Sequence, residues 1–419
     1  MHTNRRSLVK GVAATALLAG LPMNFAFAAA PTEKRFIFVI LRGGMDGLGV
    51  IVPYADPDYQ EARGGPPNLD EFYDGGLAMP DPAERGGPID LDGFFGLQPA
   101  LEPLKAWYDE GSMMAVHAVA SDYRDRSHFD GQDLLENGSG RVRGLHTGWL
   151  NRALGMMEQP DGRRNGLVMG LNTPLAMRGD VRVASWAPPT NPDPGKDFFE
   201  RVERMYSEDP LLSAPLDEGL IAAEMAETAI GSGDAMSGMM MNANTPNSEV
   251  ISSLAHAGGR LMAAPDGARI ATFEMGGWDT HSQQGAFRGR LSANLEVFAS
   301  AMLGMREGLG DAWSDTVIVA ATEFGRTVHI NGSAGTDHGT GGVALMFGGA
   351  IEGGRVLADW PGLSVTNQYE GRDLAPTTNT NSIFKAVLAE HIGLPIADIN
   401  QHVFPNSADV RPMRDLVRV

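Results

Sequence analysis

The sequence has 419 residues, a formal net charge of -19 and 43% hydrophobic residues. This length and apolar fraction suffice for one large α/β domain or two smaller ones. The acidic balance argues against nucleic acid and anionic membrane surfaces as partners. Cysteine is absent, which excludes a disulfide framework, a thiol nucleophile and thiolate metal ligands.

Residues 1–30 have the composition of an export signal peptide. Arg5 and Arg6 precede an apolar run, and small residues around Ala28 and Ala30 offer a cleavage point. The paired arginines are typical of the twin-arginine pathway, so we expect its export machinery as a partner and a periplasmic or secreted location. A membrane anchor is the alternative reading, but the apolar run is shorter than the roughly 20 residues that a span needs. We therefore expect no stable membrane span after cleavage.

Residues 31–419 are predicted to form a single α/β domain. A first buried strand is predicted over 35–41, and 317–321 is another short apolar run rich in β-branched residues, as a strand covered on both faces requires. A long amphipathic helix before the second run predicts a βαβ connection and hence parallel strands. Two stretches, at about 54–95 and about 185–265, are predicted to be surface insertions.

Acidic and histidine side chains recur just beyond predicted strands or in glycine-rich loops near them. Ligands bind at the carboxyl ends of the strands in open parallel sheets, so we expect these side chains to converge there on a metal site. Their oxygen and nitrogen donors suit zinc first, with manganese, magnesium or calcium as alternatives. The simpler readings are a turn residue at Asp46 and a plain hydrogen bond between Asp279 and His281. The predicted metal ligands are Asp46, Asp279, His281, Glu323, Asp337 and His338.

A helix is predicted to start at Ser127, with Asp130 in its first turn. On one interpretation the serine hydroxyl only caps the helix. On the other, the helix N-terminus is an anion site and Ser127 is a nucleophile, with Arg124, Arg126 and His128 beside it to hold or act on an anionic substrate. The pattern alone leaves both interpretations open.

Together these motifs resemble a family of exported bacterial proteins known as domain of unknown function 1501 (DUF1501). The resemblance covers essentially the whole mature chain. It is carried by Leu41-Arg-Gly-Gly-Met-Asp-Gly, Arg126-Ser-His-Phe-Asp, Gly277-Trp-Asp-Thr-His, Thr322-Glu-Phe-Gly-Arg-Thr and Asp337-His-Gly.

That family is related to the alkaline phosphatase and sulfatase superfamily. The relation implies an alkaline phosphatase-like fold, which is a three-layer α/β/α sandwich with a mostly parallel central sheet and metals at the strand ends. It implies Ser127 as the nucleophile of an exported metal-dependent hydrolase of phosphate or sulfate esters. It also implies metal roles for Asp46, Asp279, His281, Glu323 and His338.

One motif departs from the superfamily pattern, which commonly has Asp-His-Gly where this chain has Glu323-Phe-Gly. Phe324 cannot bind metal, so the site shared by Asp46 and Glu323 is expected to be weaker, to use His128 or Asp337 instead, or to be empty. This departure motivates an alternative function. The protein would then be a non-catalytic exported binding or assembly protein that keeps the fold and one structural ion.

Overall fold

A computed structural model of the chain describes residues 33–67, 75–157, 165–170, 172–187, 196–206 and 247–418. The predicted export signal and most of the predicted insertion at 185–265 lie outside these described residues. Within them, no helix combines the length and the apolar character needed to cross a membrane.

The strands of the described residues form one large sheet and one small sheet. The large sheet has the order β11-β5-β10-β9-β1-β8-β6-β7, with β12 also paired to β5, and the small one has the order β2-β4-β3. The strands are β1 (Arg35–Leu41), β2 (Ile51–Val52), β3 (Ile89–Asp90), β4 (Gly96–Leu97), β5 (Met113–Ala120), β6 (Gly166–Met169), β7 (Ala184–Trp186), β8 (Ile270–Met275), β9 (Thr316–Thr322), β10 (Gly342–Phe347), β11 (Val356–Leu357) and β12 (Thr378–Asn379).

The large sheet is mostly parallel. β1 lies between β8 and β9 and is parallel to both. β6 continues the parallel arrangement on one side, whereas β10 is antiparallel to both β9 and β5. The predicted strands at 35–41 and 317–321 are β1 and β9, and every residue of both is buried. The predicted α/β class with a mostly parallel sheet is confirmed.

Helices connect these strands. They are α1 (Gly47–Val50), α2 (Tyr59–Ala62), α3 (Lys105–Asp109), α4 (His128–Asn137), α5 (Trp149–Met156), α6 (Lys196–Tyr206), α7 (Asn247–Ala263), α8 (Arg290–Leu309), α9 (Thr380–Ala386) and α10 (Ile396–Asp398). The predicted long helix is α8, which carries the chain from β8 to β9 across β1. Such a crossover is what two parallel strands in one sheet require.

The alternation of side chains along β1 places apolar groups on both faces of the sheet. Ile37 and Val39 face a core that includes residues of α3, α7 and α8. Phe36 and Phe38 face a second core that includes residues of α5 and α9. The ring of Phe38 meets that of Phe384 edge to face at 4.9 Å, a geometry worth about 0.5–1.5 kcal/mol beyond the buried area. Helices thus cover the sheet on both faces.

The stretch at 54–95 is more than the surface excursion predicted for it. Tyr59, Arg63 and Met79 are fully buried, and the apolar members pack against Val328 and Leu374. The arginine guanidinium hydrogen bonds to two backbone carbonyls near residue 328. The stretch at 54–95 is rich in Pro, Gly and Asp. Its sequence therefore gives little indication of the few buried side chains that attach it to the loops at the edge of the sheet.

Candidate metal centre

The functional side chains meet at one edge of the large sheet because several strand ends coincide there. The register pairs Leu41 at the end of β1 with Met275 at the end of β8 and with Thr322 at the end of β9. β10 runs the opposite way, so the loop before its start at Gly342 returns to this edge. β5 is antiparallel to β10 and therefore also ends there, before α4. Every predicted site residue follows one of these strand ends or precedes β10.

Close backbone approach brings the loops after β1 and β8 together. Gly43 has a φ of +127°, and a Cβ atom added to it would lie 2.6 Å from the backbone nitrogen of Asp279. A residue with a side chain would strain the turn and push the two loops apart. Gly43 therefore allows the close approach that positions the Asp279 backbone.

Three histidines direct one ring nitrogen each towards the carboxylate of Asp279. Its Oδ1 lies 3.0 Å from Nε2 of His281, 3.3 Å from Nε2 of His338 and 3.5 Å from Nε2 of His128. Nε2 of His281 and Nε2 of His338 are 2.9 Å apart. His128, Asp279 and His338 form a group whose ligand atoms all lie within 4.8 Å of one another, and Nε2 of His281 lies beside the ligand atoms of Asp279 and His338.

The other ring nitrogen of each histidine is held by an oxygen atom. Nδ1 of His128 lies 2.7 Å from Oε1 of Glu323, and Nδ1 of His281 lies 3.1 Å from Oδ1 of Asp337. Nδ1 of His338 lies 2.8 Å from the backbone carbonyl oxygen of Arg126. An Nδ1–H that donates to an oxygen leaves Nε2 with a free lone pair, which is the tautomer that metal-binding histidines adopt.

These four donors fit a zinc ion or a similar divalent cation. Nε2 of His128 is buried and has no hydrogen-bond partner, a costly state that a bound ion would relieve. Zinc–nitrogen bonds of about 2.0–2.1 Å in tetrahedral geometry place ligand atoms roughly 3.3 Å apart. The measured separations from Asp279 Oδ1 are 3.0 to 3.5 Å. His128, Asp279, His281 and His338 are therefore the residues that would hold the ion.

The charge of Asp279 is supported by a buried arginine. Burial opposes ionisation of this carboxyl group, but a hydrogen bond and the charge of Arg326 keep its pKa below the usual value. Nη1 of Arg326 donates to Asp279 Oδ1 at 2.7 Å, and Arg326 itself is almost fully buried. The guanidinium holds the carboxylate in place among the three histidines.

Glu323 lies behind His128, which is the one candidate ligand of the described residues that its carboxylate contacts by a hydrogen bond. Its Oε1 accepts hydrogen bonds from the backbone of Gly43 and from Gln132 as well as contacting His128, and its Oε2 accepts one from Thr322. A hydrogen bond to Glu323 raises the pKa of His128. Both carboxylate oxygens are thus occupied, and the geometry suits a residue that orients a ligand. The metal-binding role predicted for Glu323 stays a prediction.

Phe324 closes the side of the centre next to β9. Its buried ring lies 4.9 Å from the ring of His128 and 5.2 Å from that of His338, measured between centroids. A Cβ atom added to Gly44 would lie 2.8 Å from this ring, and one added to Gly131 would lie 3.1 Å from it. The ring of Phe324 is therefore tightly packed between these glycines and two of the candidate ligands, His128 and His338.

Asp46 is not brought into the group of four donors. Its carboxylate forms a buried ion pair with Arg63 and accepts a hydrogen bond from Gln284 at 2.5 Å. The other oxygen, Oδ1, has no hydrogen-bond partner. The positive charge that Asp46 contacts in this structure is the guanidinium of Arg63. The metal-binding role predicted for Asp46 stays a prediction.

The outer wall of the centre is open to solvent. The side chains of Asp279, His281 and Asp337 are 43%, 44% and 53% exposed. Asp337 contacts Nδ1 of His281 and also accepts a hydrogen bond from Asn331 at 3.1 Å, and these contacts lower its pKa, with that from Asn331 contributing most. Asp337 thus contacts His281 from behind, as Glu323 contacts His128.

Ser127 is the N-cap residue of α4, where the sequence predicts a helix start, but its hydroxyl makes no cap hydrogen bond. Its backbone N–H donates to the hydroxyl of Tyr123 at 3.1 Å. Its neighbour His128 is one of the four donors. The capping interpretation therefore lacks its hydrogen bond, and the role of nucleophile stays a prediction.

The two arginines predicted to hold substrate have partners inside the protein. Nε of Arg126 donates to Asp373 at 2.7 Å, and its Nη2 donates to Glu370 at 2.5 Å. Arg124 donates to the backbone carbonyls of Ser121 and Tyr123. Two carboxylates already balance the charge of Arg126, so substrate binding by this residue requires a rearrangement.

Sequence reasoning missed several residues that shape the centre. Gln132 lies four positions after His128 and so shares its helix face, a spacing that could have identified it. Arg326 lies within the Thr322–Thr327 motif but bears a charge opposite to that expected of a metal ligand. Arg63, Gln284 and Asp373 have no local signal, because only the folded chain brings them here.

Comparisons with known proteins identify a family and distantly similar solved structures. A family described as "Protein of unknown function (DUF1501)" matches residues 33–397. No curated protein matches the chain. A solved phosphonate monoester hydrolase of Agrobacterium radiobacter is similar with a TM-score of 0.32 and 11% identity, over 86% of this chain and 74% of that chain. A likeness this low supports no argument about fold or function.

Proposed function

The chain belongs to the DUF1501 family of proteins of unknown function, and from the geometry of its site we propose that it is a metal-dependent hydrolase of phosphate or sulfate esters. The observation that carries the proposal is the convergence of three histidine Nε2 atoms on one oxygen of Asp279. Each histidine is oriented from behind by an oxygen acceptor.

Side chains that served only to stabilise the fold would not bring three imidazole Nε2 atoms to one carboxylate oxygen. Three imidazoles and a carboxylate at one point bring together nitrogen lone pairs that repel one another unless a cation or protons lie between them. The exposed outer wall leaves room for a substrate. A divalent ion held there would polarise a phosphoryl or sulfuryl oxygen and stabilise the charge that develops on it.

Ser127 supplies the nucleophile in this proposal. Its hydroxyl is free of a cap bond and lies at the N-terminus of α4, where backbone N–H groups favour an anionic substrate. The oxygen would attack phosphorus or sulfur as the bond to the alcohol oxygen breaks. The proton lost from the Ser127 hydroxyl passes to the departing alcohol oxygen. A water oxygen then attacks the same phosphorus or sulfur, the bond to the Ser127 oxygen breaks, and a proton from the water restores the hydroxyl as phosphate or sulfate leaves.

The setting that we propose follows from the sequence. The pattern of residues 1–30 supports export by the twin-arginine pathway to the periplasm or the exterior. The mostly parallel sheet, with the donor residues at its carboxyl edge, supports an alkaline phosphatase-like arrangement. The donor set of three imidazoles and one carboxylate favours zinc over magnesium or calcium, which prefer oxygen ligands.

The test combines metal analysis with a screen of aryl phosphate and sulfate monoesters and diesters. The variants are His338→Ala for the centre and Ser127→Ala for the nucleophile, with the exposed His402→Ala and Ser314→Ala as matched controls. We expect His338→Ala to lose both the ion and turnover, and Ser127→Ala to keep the ion and lose turnover. Turnover by Ser127→Ala equal to wild type would refute the nucleophile assignment, and wild-type protein without bound metal would refute the centre.

A second candidate function has an observation of its own in its favour. Arg126 is neutralised by Asp373 and Glu370, and Phe324 packs against two of the histidines. These contacts suit a rigid centre that stabilises the fold of an exported binding or assembly protein. Stoichiometric bound metal without turnover of any ester in the screen would favour this function over hydrolysis.

A further inference from the structure

His338 is held at both its ring and its backbone. Its Nδ1 lies 2.8 Å from the carbonyl oxygen of Arg126, and its own carbonyl oxygen accepts a hydrogen bond from Nη2 of Arg372 at 2.6 Å. The orientation of its Nε2 towards Asp279 therefore depends on where the carbonyl of residue 126 points. That carbonyl precedes Ser127 and His128 by one and two residues.

Arg126 adopts a backbone conformation that is unusual for its residue type. Its φ is +59°, in the left-handed region, which is unfavourable for a non-glycine residue and persists only where surrounding contacts enforce it. This conformation determines the direction in which the residue's carbonyl points. Some contact must therefore hold Arg126 in place.

The side-chain contacts of Arg126 stabilise this backbone conformation. Its Nε donates to Oδ2 of Asp373, whose side chain is fully buried, and its Nη2 donates to Glu370, whose side chain is 56% exposed. The ring of Tyr369 lies 5.8 Å from the guanidinium. Of the two ion pairs, only that to Asp373 is shielded from water, so it contributes most to holding the arginine.

Asp373 is itself fixed by the backbone. Residues 369–373 form a tight turn, in which Glu370 and Gly371 have φ values of +55° and +64°. Asp373 forms an isolated antiparallel β-bridge with Thr327. The backbone N–H of Thr327 also donates a hydrogen bond to the carbonyl oxygen of Asp337. The turn is thus joined to the loop that carries His338 and, through Arg126, to the start of α4.

We propose that Asp373 is a positioning residue of the metal centre: by anchoring Arg126 it fixes the carbonyl that orients His338. The proposal rests on the metal centre described above and is independent of whether the centre hydrolyses an ester. It reassigns Arg126 from substrate binding to support of the centre. The residue acts through its backbone carbonyl, and its side chain is the anchor.

The first test compares Asp373→Asn with Glu370→Gln, since each change removes one charge from a partner of Arg126. Zinc affinity is measured by competition with a chelator, and the cobalt(II) absorption spectrum reports the ligand geometry. We expect Asp373→Asn to weaken zinc binding about tenfold, in the range found for outer-shell partners of metal-binding histidines, and to alter the cobalt spectrum. Glu370→Gln should change neither.

The second test separates the backbone of Arg126 from its side chain. Arg126→Gly and Arg126→Ala both lose the guanidinium, but glycine adopts a φ of +59° without strain and alanine does not. We expect the glycine variant to bind zinc more tightly than the alanine variant. A residue that only contacts substrate would give two variants with wild-type zinc affinity.

The outcomes distinguish the two proposals. Wild-type protein that binds no zinc or cobalt would overturn the metal centre and this proposal with it. Wild-type binding that Asp373→Asn leaves unchanged, in protein with native far-UV circular dichroism, would overturn the positioning role alone. Equal loss of affinity in Glu370→Gln and Asp373→Asn would overturn it too, because the buried pair would then have no special part.

Discussion

Nδ1 of His128 and Oε1 of Glu323 lie 2.7 Å apart, and the carboxylate belongs to a side chain with no solvent exposure. The same oxygen accepts hydrogen bonds from Gly43 and Gln132, so it cannot follow the imidazole if the ring rotates. His128 is thereby fixed with its unpartnered Nε2 directed towards Asp279. The sequence predicts this carboxylate as a metal ligand, and its contacts suit a residue that orients His128.

Glu323→Gln should therefore weaken metal binding without abolishing it. The amide oxygen can still accept from Nδ1, but the loss of charge lowers the basicity of the imidazole, and such outer partners are worth about 10–100-fold in metal affinity. Chelator competition measures the change. Glu274→Gln is the matched control, because Glu274 lies at the end of β8 and contacts Arg42 instead of a histidine. Complete loss of the ion in Glu323→Gln would indicate direct ligation.

Asp46→Asn should lower stability and leave the metal content at about one ion per chain. The buried carboxylate is paired with Arg63, which has no solvent exposure, and breaking a buried pair by removing one partner costs about 3–5 kcal/mol. Urea unfolding measures the free energy, and elemental analysis counts the ions. A variant of wild-type stability that has lost an ion would show that Asp46 is a ligand after all.

Gly43→Ala should lower both stability and metal affinity. The added Cβ would lie 2.6 Å from the backbone nitrogen of Asp279, at a φ of +127°, so the loop that carries Asp279 must shift. Gly276→Ala is the control in the loop after β8, where an added Cβ meets nothing within 4 Å. We expect the control to bind metal like wild type. Equal affinity in both variants would show that the Gly43 contact does not position Asp279.

The comparison of sequence with structure shows which features local patterns carry. β1 and β9 were predictable because their apolar runs are continuous. The proximity of Asp279, His281 and His338 was predictable because they follow or precede strand ends. The partner of Asp46 was not predictable, since Arg63 comes from a Pro- and Gly-rich stretch with no periodicity. Long-range ion pairs of this kind depend on loops whose path no local rule fixes.

The different contacts of the acidic residues near the histidines were equally beyond the sequence. Asp279, Glu323 and Asp337 all lie near the histidines, and only their contacts separate them. Asp279 faces three Nε2 atoms, whereas Glu323 and Asp337 each contact an Nδ1 atom. Which ring nitrogen a carboxylate meets depends on distances of a few ångströms, which residue type and spacing do not encode.

Two buried histidines away from the centre give the protein a dependence of stability on pH. Burial lowers the pKa of His117 to about 4 and that of His391 to about 4. His117 lies within β5, and its Nε2 is 3.0 Å from the carbonyl oxygen of Ile51. Nε2 of His391 is 2.9 Å from the carbonyl oxygen of Arg35. Both rings are neutral in the folded protein at neutral pH.

The sign of the dependence follows from the folded pKa lying below the unfolded value of about 6.5. As pH falls below the unfolded value, the unfolded chain takes up the proton first, so the folded state loses stability until pH reaches the folded pKa. Between about pH 7.5 and pH 5 each histidine should cost about 2 kcal/mol. Urea unfolding of metal-free protein at the two pH values measures the loss. Metal-free samples avoid release of an ion on acidification, and the histidines of the centre contribute equally to wild type and to each variant. His117→Gln and His391→Gln should each lose about 2 kcal/mol less than wild type over this interval, whereas the exposed His402→Gln should lose as much as wild type. A loss in the two variants equal to that of wild type would mean that these rings bind protons in the folded state as readily as in the unfolded chain.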